Sequence, residues 1–276
     1  MNSRTEAVFA AARADSRAAL IGYLPAGFPT VEASIALIDE MLAGGVDLVE
    51  VGLPYSDPLM DGAAIQEAVE IALSEGTTTD DVLSVVERIA LGDRQAAVVM
   101  SYWNPIERFG LQRFVDRMQA VGGSGVITPD LTPEEAGPWT TATDSAGIDR
   151  TFLVAPSSTD TRIETVARAC TGFVYAASTM GVTGARDQVS SAAPTLVARV
   201  RGRTQAPIGV GLGVSSGDQA AGIAEYADGV IVGSAFVRRI LDAQDVSQAR
   251  ASVRGFAEEL AEGVRRPVDD QRVGAN

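Results

Sequence analysis

Eight short apolar runs, bounded by Gly, Pro or Asp, recur along the chain and constrain its fold more than any other feature. They start at Arg17 (RAALIGYL), Val46 (VDLVEVG), Ala96 (AAVVMSY), Ser124 (SGVITPD), Arg150 (RTFLVA), Gly172 (GFVYAAS), Pro207 (PIGVGLG) and Asp228 (DGVIVG). Near-continuous apolar stretches of this length suit strands covered on both faces, as in a parallel sheet. Helical patterns fill the gaps. Val31, Ile35, Ile38 and Leu42 share a face ahead of Gly44-Gly45, and Leu111, Phe114, Val115 and Met118 repeat the arrangement. Thr132-Pro133-Glu134-Glu135 combines an N-cap, a first-turn proline and a capping-box glutamate, so a helix is predicted there. The alternation predicts an α/β fold, a single (β/α)8 TIM barrel over 1–276. An extra amphipathic N-terminal helix is expected over 1–16 and a polar tail over 265–276. A doubly wound sheet is the alternative.

Two absences narrow the chemistry. The chain has no histidine, and all 22 of its basic residues are arginine, so lysine is missing too. That removes a Schiff-base lysine, a pyridoxal phosphate anchored to this chain, a Walker A loop, a Ser-His-Asp triad and an HExxH zinc site. Cys170 is the single cysteine, which allows no internal disulfide and fits a reducing cytoplasm. No metal ligand set is expected. A net charge of −14 argues against nucleic acid and anionic membrane as partners. No apolar run approaches the roughly 20 residues of a membrane span, and Met1 to Ser16 lacks an apolar signal core. The expectation is a soluble, cytoplasmic protein whose chemistry comes from carboxylates, hydroxyls, arginines or backbone amides.

Glu50 is the odd residue among the strands. In VDLVEVG it shares a face with Val46 and Leu48, while Asp47, Val49 and Val51 take the other. A glutamate near the end of a buried strand would point to the barrel mouth, where desolvation raises its pKa towards the range of a general acid/base. A structural glutamate paired with an arginine explains the position equally well. The following loop, Gly52 to Gly62, is stiffened by two prolines and carries Asp57 and Asp61. Asp61-Gly62 reads alone as a turn; with Glu50 it makes two carboxylates able to flank a ligand.

Three glycine sites follow the sixth, seventh and eighth runs: Gly181 to Gly184, Gly211 to Gly213, and Gly233-Ser234. Barrels bind phosphate with the loops after strands 7 and 8 and a helix amino end, where glycine admits close backbone approach. Tyr102 closes the third run and Tyr175 stands towards the end of the sixth, and both read by themselves as core or rim packing. Arg238-Arg239 reads as a solvated helix face.

At Glu50 with YSDPLMDG the chain resembles the tryptophan synthase α subunit family. The resemblance extends through PAGFP at 25–29, VEVG at 49–52, YWNPI at 102–106, PDL at 129–131, GVTG at 181–184 and GSA at 233–235. It implies a (β/α)8 lyase that cleaves indole-3-glycerol phosphate to indole and glyceraldehyde 3-phosphate. Glu50 would then be the acid/base, and Asp61 would accept the indole N–H. Gly184, Gly213, Gly233 and Ser234 would hold the phosphate, with Tyr175, Thr183 and Tyr102 also at the substrate and Asp57 contacting the partner. That partner is a β subunit, which carries pyridoxal phosphate and receives indole in an α2β2 heterotetramer. The chemistry suits a chain without lysine or histidine, because an indole protonated at C3 is its own electron sink. Phe28, Met60, Ala63, Thr132 and Leu212 depart from the family's usual residues. A free-standing lyase and a catalytically weak activator of the β subunit are the alternatives.

Overall fold

The eight runs become parallel strands. The structure, a computed structural model, describes residues 3–177, 192–211 and 213–266. The strands are β1 (Ala19–Pro25), β2 (Leu48–Gly52), β3 (Ala96–Met100), β4 (Gly125–Ile127), β5 (Asp149–Thr151), β6 (Leu153–Val154), β7 (Val174–Ala177), β8 (Ile208–Gly211) and β9 (Gly229–Val232). The helices are α1 (Arg4–Ala14), α2 (Val31–Ala43), α3 (Ala63–Ser74), α4 (Thr79–Arg88), α5 (Trp103–Phe109), α6 (Leu111–Ala120), α7 (Gly137–Ala146), α8 (Asp160–Ala169), α9 (Ala192–Arg201), α10 (Gly217–Ala224), α11 (Ser234–Leu241) and α12 (Val246–Val264).

Strand order is β5-β4-β3-β2-β1-β9-β8-β7-β6, and every described pairing is parallel. The two ends of that order, β5 and β6, are separated in sequence by Phe152 alone, so the sheet wraps into a TIM barrel. The run at 150–155 is therefore two strands, giving nine rather than eight. The backbone N–H of Phe152 donates to Cys170 Sγ at 3.3 Å, which takes it out of the strand ladder.

Residues alternate between barrel interior and outer shell. Leu48 packs inside with Ile21, Val98, Ile127 and Ile231, whereas Val49 and Val51 belong to the larger core beneath the helices. Helix α1 closes the amino-terminal end of the barrel. Ser3 accepts from the Glu6 N–H at its start, and Thr5, Val8, Phe9 and Ala12 form its buried stripe. Phe9 meets Phe173 with ring centroids 5.4 Å apart, a burial worth roughly 1.5–3 kcal/mol. In α2 and α6 the predicted faces are buried, apart from Val31 and Leu111, which pack half-exposed at the first positions.

No helix begins at Thr132. Residues 133–135 form a turn, in which the Thr132 hydroxyl donates to Glu135 at 2.8 Å, and α7 starts at Gly137. Pro138 is the reason: in a helix running from Pro133 its ring would strike the carbonyl four residues earlier. The helix restarts with Pro138 in its first turn. Of the tail at 265–276, residues 267–276 lie outside the described residues, and Arg265 caps α12.

Candidate active site

The chemistry-bearing side chains gather where the strands end. Glu50 is the third residue of β2, in register with Tyr23 on β1 and Val98 on β3. It points into the barrel and is only 2% exposed, and its Oε1 has no hydrogen-bond partner among the described residues. Burial pushes its carboxyl up to about 8, with no arginine beside it to pull it back. At neutral pH the group is therefore mostly protonated. A glutamate kept for ion pairing would be charged, so this environment is that of an acid.

Two tyrosine rings crowd the same space. A Cβ on Gly52 would lie 2.5 Å from the Tyr23 hydroxyl, and one on Gly211 would lie 2.5 Å from the Tyr175 hydroxyl. Those glycines leave room for the rings at the mouth. Burial holds both phenols well above the usual tyrosine range, reinforced at Tyr23 by Asp61 and Glu50 and at Tyr175 by Glu50. Tyr23 thus senses both carboxylates, yet nothing in the sequence reading singled it out. The available signal was parity, since Ala19, Ile21 and Tyr23 alternate along β1 onto the interior face.

Asp61 arrives on the loop after β2 and sits half-buried just ahead of α3. Its carbonyl accepts from Gln66 Nε2 at 2.7 Å, and its Oδ1 accepts from the Tyr102 hydroxyl at 3.3 Å. Burial raises its carboxyl above the ordinary aspartate value, while the Tyr102 bond acts in the opposite direction. Tyr102 also accepts from the backbone N–H groups of Leu59 and Met60, at 3.1 and 3.0 Å. Its hydroxyl is engaged with the loop.

Two of the glycine sites frame one side of the mouth. Gly213 has a φ of +65°, a left-handed conformation that favours glycine. Gly233 is the N-cap of α11, whose amino end carries no side-chain cap, and Ser234 opens the helix. A Cβ on Gly233 would stand 3.4 Å from Tyr23, so this helix end adjoins the carboxylate pocket. Thr183, Gly184 and Leu212 lie outside the described residues.

Asp57 is not part of this cluster. It is exposed, accepts from the Ser56 hydroxyl at 2.6 Å, and lines a groove of about 600 Å³ with Thr77, Asn104, Pro105 and Arg108. Among the departures from the family pattern, Phe28 is buried in the core, and Ala63 is exposed at the first position of α3.

Fold and site define a class: a TIM-barrel enzyme with a protonated, unpaired carboxyl at the carboxy-terminal mouth and a second carboxylate on the loop that follows, both acting on Tyr23. The tryptophan synthase alpha chain family model matches residues 9–265. The chain is 59% identical over 259 residues to the tryptophan synthase alpha chain of Thermobifida fusca, covering 93% of this chain and 96% of that protein. Identity to the Nocardia farcinica alpha chain is 57% over 263 residues, covering 95% and 96%. A solved structure of Mycobacterium tuberculosis tryptophan synthase superposes with a TM-score of 0.89 at 51% identity, covering 97% of this chain and 100% of that one. The chain belongs to the tryptophan synthase alpha chain family. It is a lyase of tryptophan biosynthesis that cleaves indole-3-glycerol phosphate. Among the described residues, no helix is long and apolar enough to cross a membrane.

Proposed function

We propose that Glu50 and Asp61 divide this lyase reaction between them. Protonated Glu50 delivers its proton to indole C3, which places a positive charge on the ring nitrogen side of the indole. The resulting carboxylate then takes the proton of the adjacent glycerol hydroxyl. The carbon–carbon bond breaks, its electron pair returns to the indole ring, and the hydroxyl carbon becomes the aldehyde of glyceraldehyde 3-phosphate. Asp61 accepts the indole N–H and stabilises the cationic intermediate. Gly213, Gly233 and Ser234 take the phosphate at the amino end of α11, together with Thr183 and Gly184. Tyr175 lines the cleft.

The observation that carries this reading is the solitary burial of Glu50, which keeps its proton at neutral pH with no arginine to remove it. The partner is a β subunit in an α2β2 assembly, docking over Asp57. Pyridoxal phosphate is assigned to that subunit, because this chain has no lysine on which to anchor it. Indole release from indole-3-glycerol phosphate tests the reading. Glu50→Gln keeps the shape without an ionisable proton, so turnover should fall at least about a hundredfold while a substrate analogue still binds. Asp61→Asn should fall comparably. Near-normal turnover by a folded Glu50→Gln protein would overturn it.

A further inference from the structure

The family resemblance places Tyr102 among the substrate contacts, and in the structure its hydroxyl is engaged with the loop after β2. Its oxygen accepts from two consecutive backbone amides, Leu59 at 3.1 Å and Met60 at 3.0 Å, and its proton faces Asp61 Oδ1 at 3.3 Å. Three consecutive residues of one loop thus converge on a single atom. The ring itself is 5% exposed and packs 5.4 Å from Tyr55, whose own hydroxyl accepts from Asn104 Nδ2 at 3.1 Å. Tyr102 is the N-cap of α5, so it stands on a rigid junction between β3 and a helix.

Leu53 and Pro54 are buried at the start of the loop, but none of residues 55–61 is, so this outer part needs such an anchor. Leu59 is 73% exposed, and Ser56 and Asp57 face outwards. Asp61 is the last residue before Gly62 caps α3, so its downstream side is held by the helix and by Gln66. Its upstream side is held at Leu59 and Met60. A phenylalanine would pack the ring equally well; only the oxygen reaches those amides.

We propose that Tyr102 is a positioning residue, whose hydroxyl seats residues 59–61 and thereby sets the place of the Asp61 carboxylate. The proposal rests on the role given to Asp61 above. It separates two properties that substrate contact would join: loss of the hydroxyl displaces Asp61 and harms the chemical step, but leaves the faces of the indole pocket intact.

A double-mutant cycle on the full chain, assayed with and without its β partner, tests this. Tyr102→Phe should lower kcat about 10- to 100-fold, in keeping with the cost of misplacing a catalytic group by about 1 Å, with KM changed less than about twofold. In an Asp61→Asn background the same change should lower kcat by less than about threefold further, because the group it positions is already gone. Equal losses in both backgrounds would place Tyr102 on the substrate and overturn the proposal. So would a raised KM at unchanged kcat, or no effect at all. Hydrogen exchange in the wild type supplies a readout that needs no variant. The Leu59 and Met60 amides should be protected relative to those of Ser56 and Asp57, and equal exchange would also overturn it. Normal turnover by Asp61→Asn would instead remove the underlying role of Asp61, whatever the exchange shows.

Discussion

Two buried carboxylates stand three residues apart at β2, and the molecule treats them in opposite ways. Asp47, just before the strand at the amino-terminal end of the barrel, receives a two-pronged Arg17 guanidinium at 2.6 and 2.9 Å and the Leu20 N–H at 2.8 Å. Glu50, near the carboxy-terminal mouth, receives nothing at Oε1. Removing a charge from water costs several kcal/mol, and a well-formed ion pair offsets much of that. Where the offset is missing, the carboxyl keeps its proton instead. An ion-paired carboxylate just before β2 therefore ties that strand to β1, and the strand itself carries a neutral carboxyl that can act as an acid. Barrels as a class separate stability from chemistry in this way, bottom from top.

Breaking the lower pair should give the largest effect. Arg17→Ala would leave the buried Asp47 carboxyl without its guanidinium partner, which costs about 3–5 kcal/mol. Urea unfolding should show that loss, while kcat of the remaining folded protein stays normal. A loss below about 1 kcal/mol would mean that both ends of β2 tolerate an unpaired carboxylate.

Glu50 should show the opposite pattern, visible in pH dependence. Its carboxyl titrates at about 8 in the folded protein against an ordinary 4.5, so the folded state holds an extra proton between those values. The stability this contributes is complete below about pH 4.5, declines as pH rises to about 8, and is constant beyond. Melting temperature should therefore fall from pH 5 to pH 9 more steeply in the wild type than in Glu50→Gln. Identical slopes would show that Glu50 is not held protonated. For the same reason kcat/KM should decline as pH passes about 8, where the acid ionises.

The phosphate side should respond more mildly. Gly233→Val brings a side chain to the amino end of α11, so KM should rise several-fold with a smaller change in kcat. Indole-3-glycerol without its phosphate should be indifferent to the change. Equal sensitivity of both substrates would make Gly233 a turn residue only. Asp57→Ala should have the smallest effect, because Asp57 lies outside the carboxylate cluster. The activity of the isolated chain should be unchanged and its stimulation by a β subunit reduced. Equal losses with and without the partner would move Asp57 into the catalytic site.

Much of this architecture was legible in one dimension because its signals are local. An apolar run between breakers declares a buried strand, and alternation declares which face Glu50 shares with Leu48. Proline misled in one place. Thr132-Pro133 carries every sign of a helix start, but Pro138, five positions later, forbids that helix from continuing. Phe152 gave no warning that its N–H would be taken by Cys170, 18 residues away in sequence.

Pattern, composition and the family motifs determined by themselves that this chain is an α/β barrel, that it works without lysine or histidine, and that Glu50 and Asp61 are its candidate carboxylates. Whether Glu50 has an arginine partner, which the sequence left open, only the tertiary structure decided. The reason is that a pKa is set by distance and dielectric, neither of which is local. Arg17 is 33 positions from Glu50 and 30 from Asp47 in the chain, a difference with no meaning until β1 and β2 align. In the folded barrel the guanidinium reaches Asp47 at the bottom, and Glu50 is left among tyrosine rings. Tyr23 entered the site by strand register, and Tyr102 reached Asp61 across 41 residues, because the closed sheet brings every strand end to one mouth.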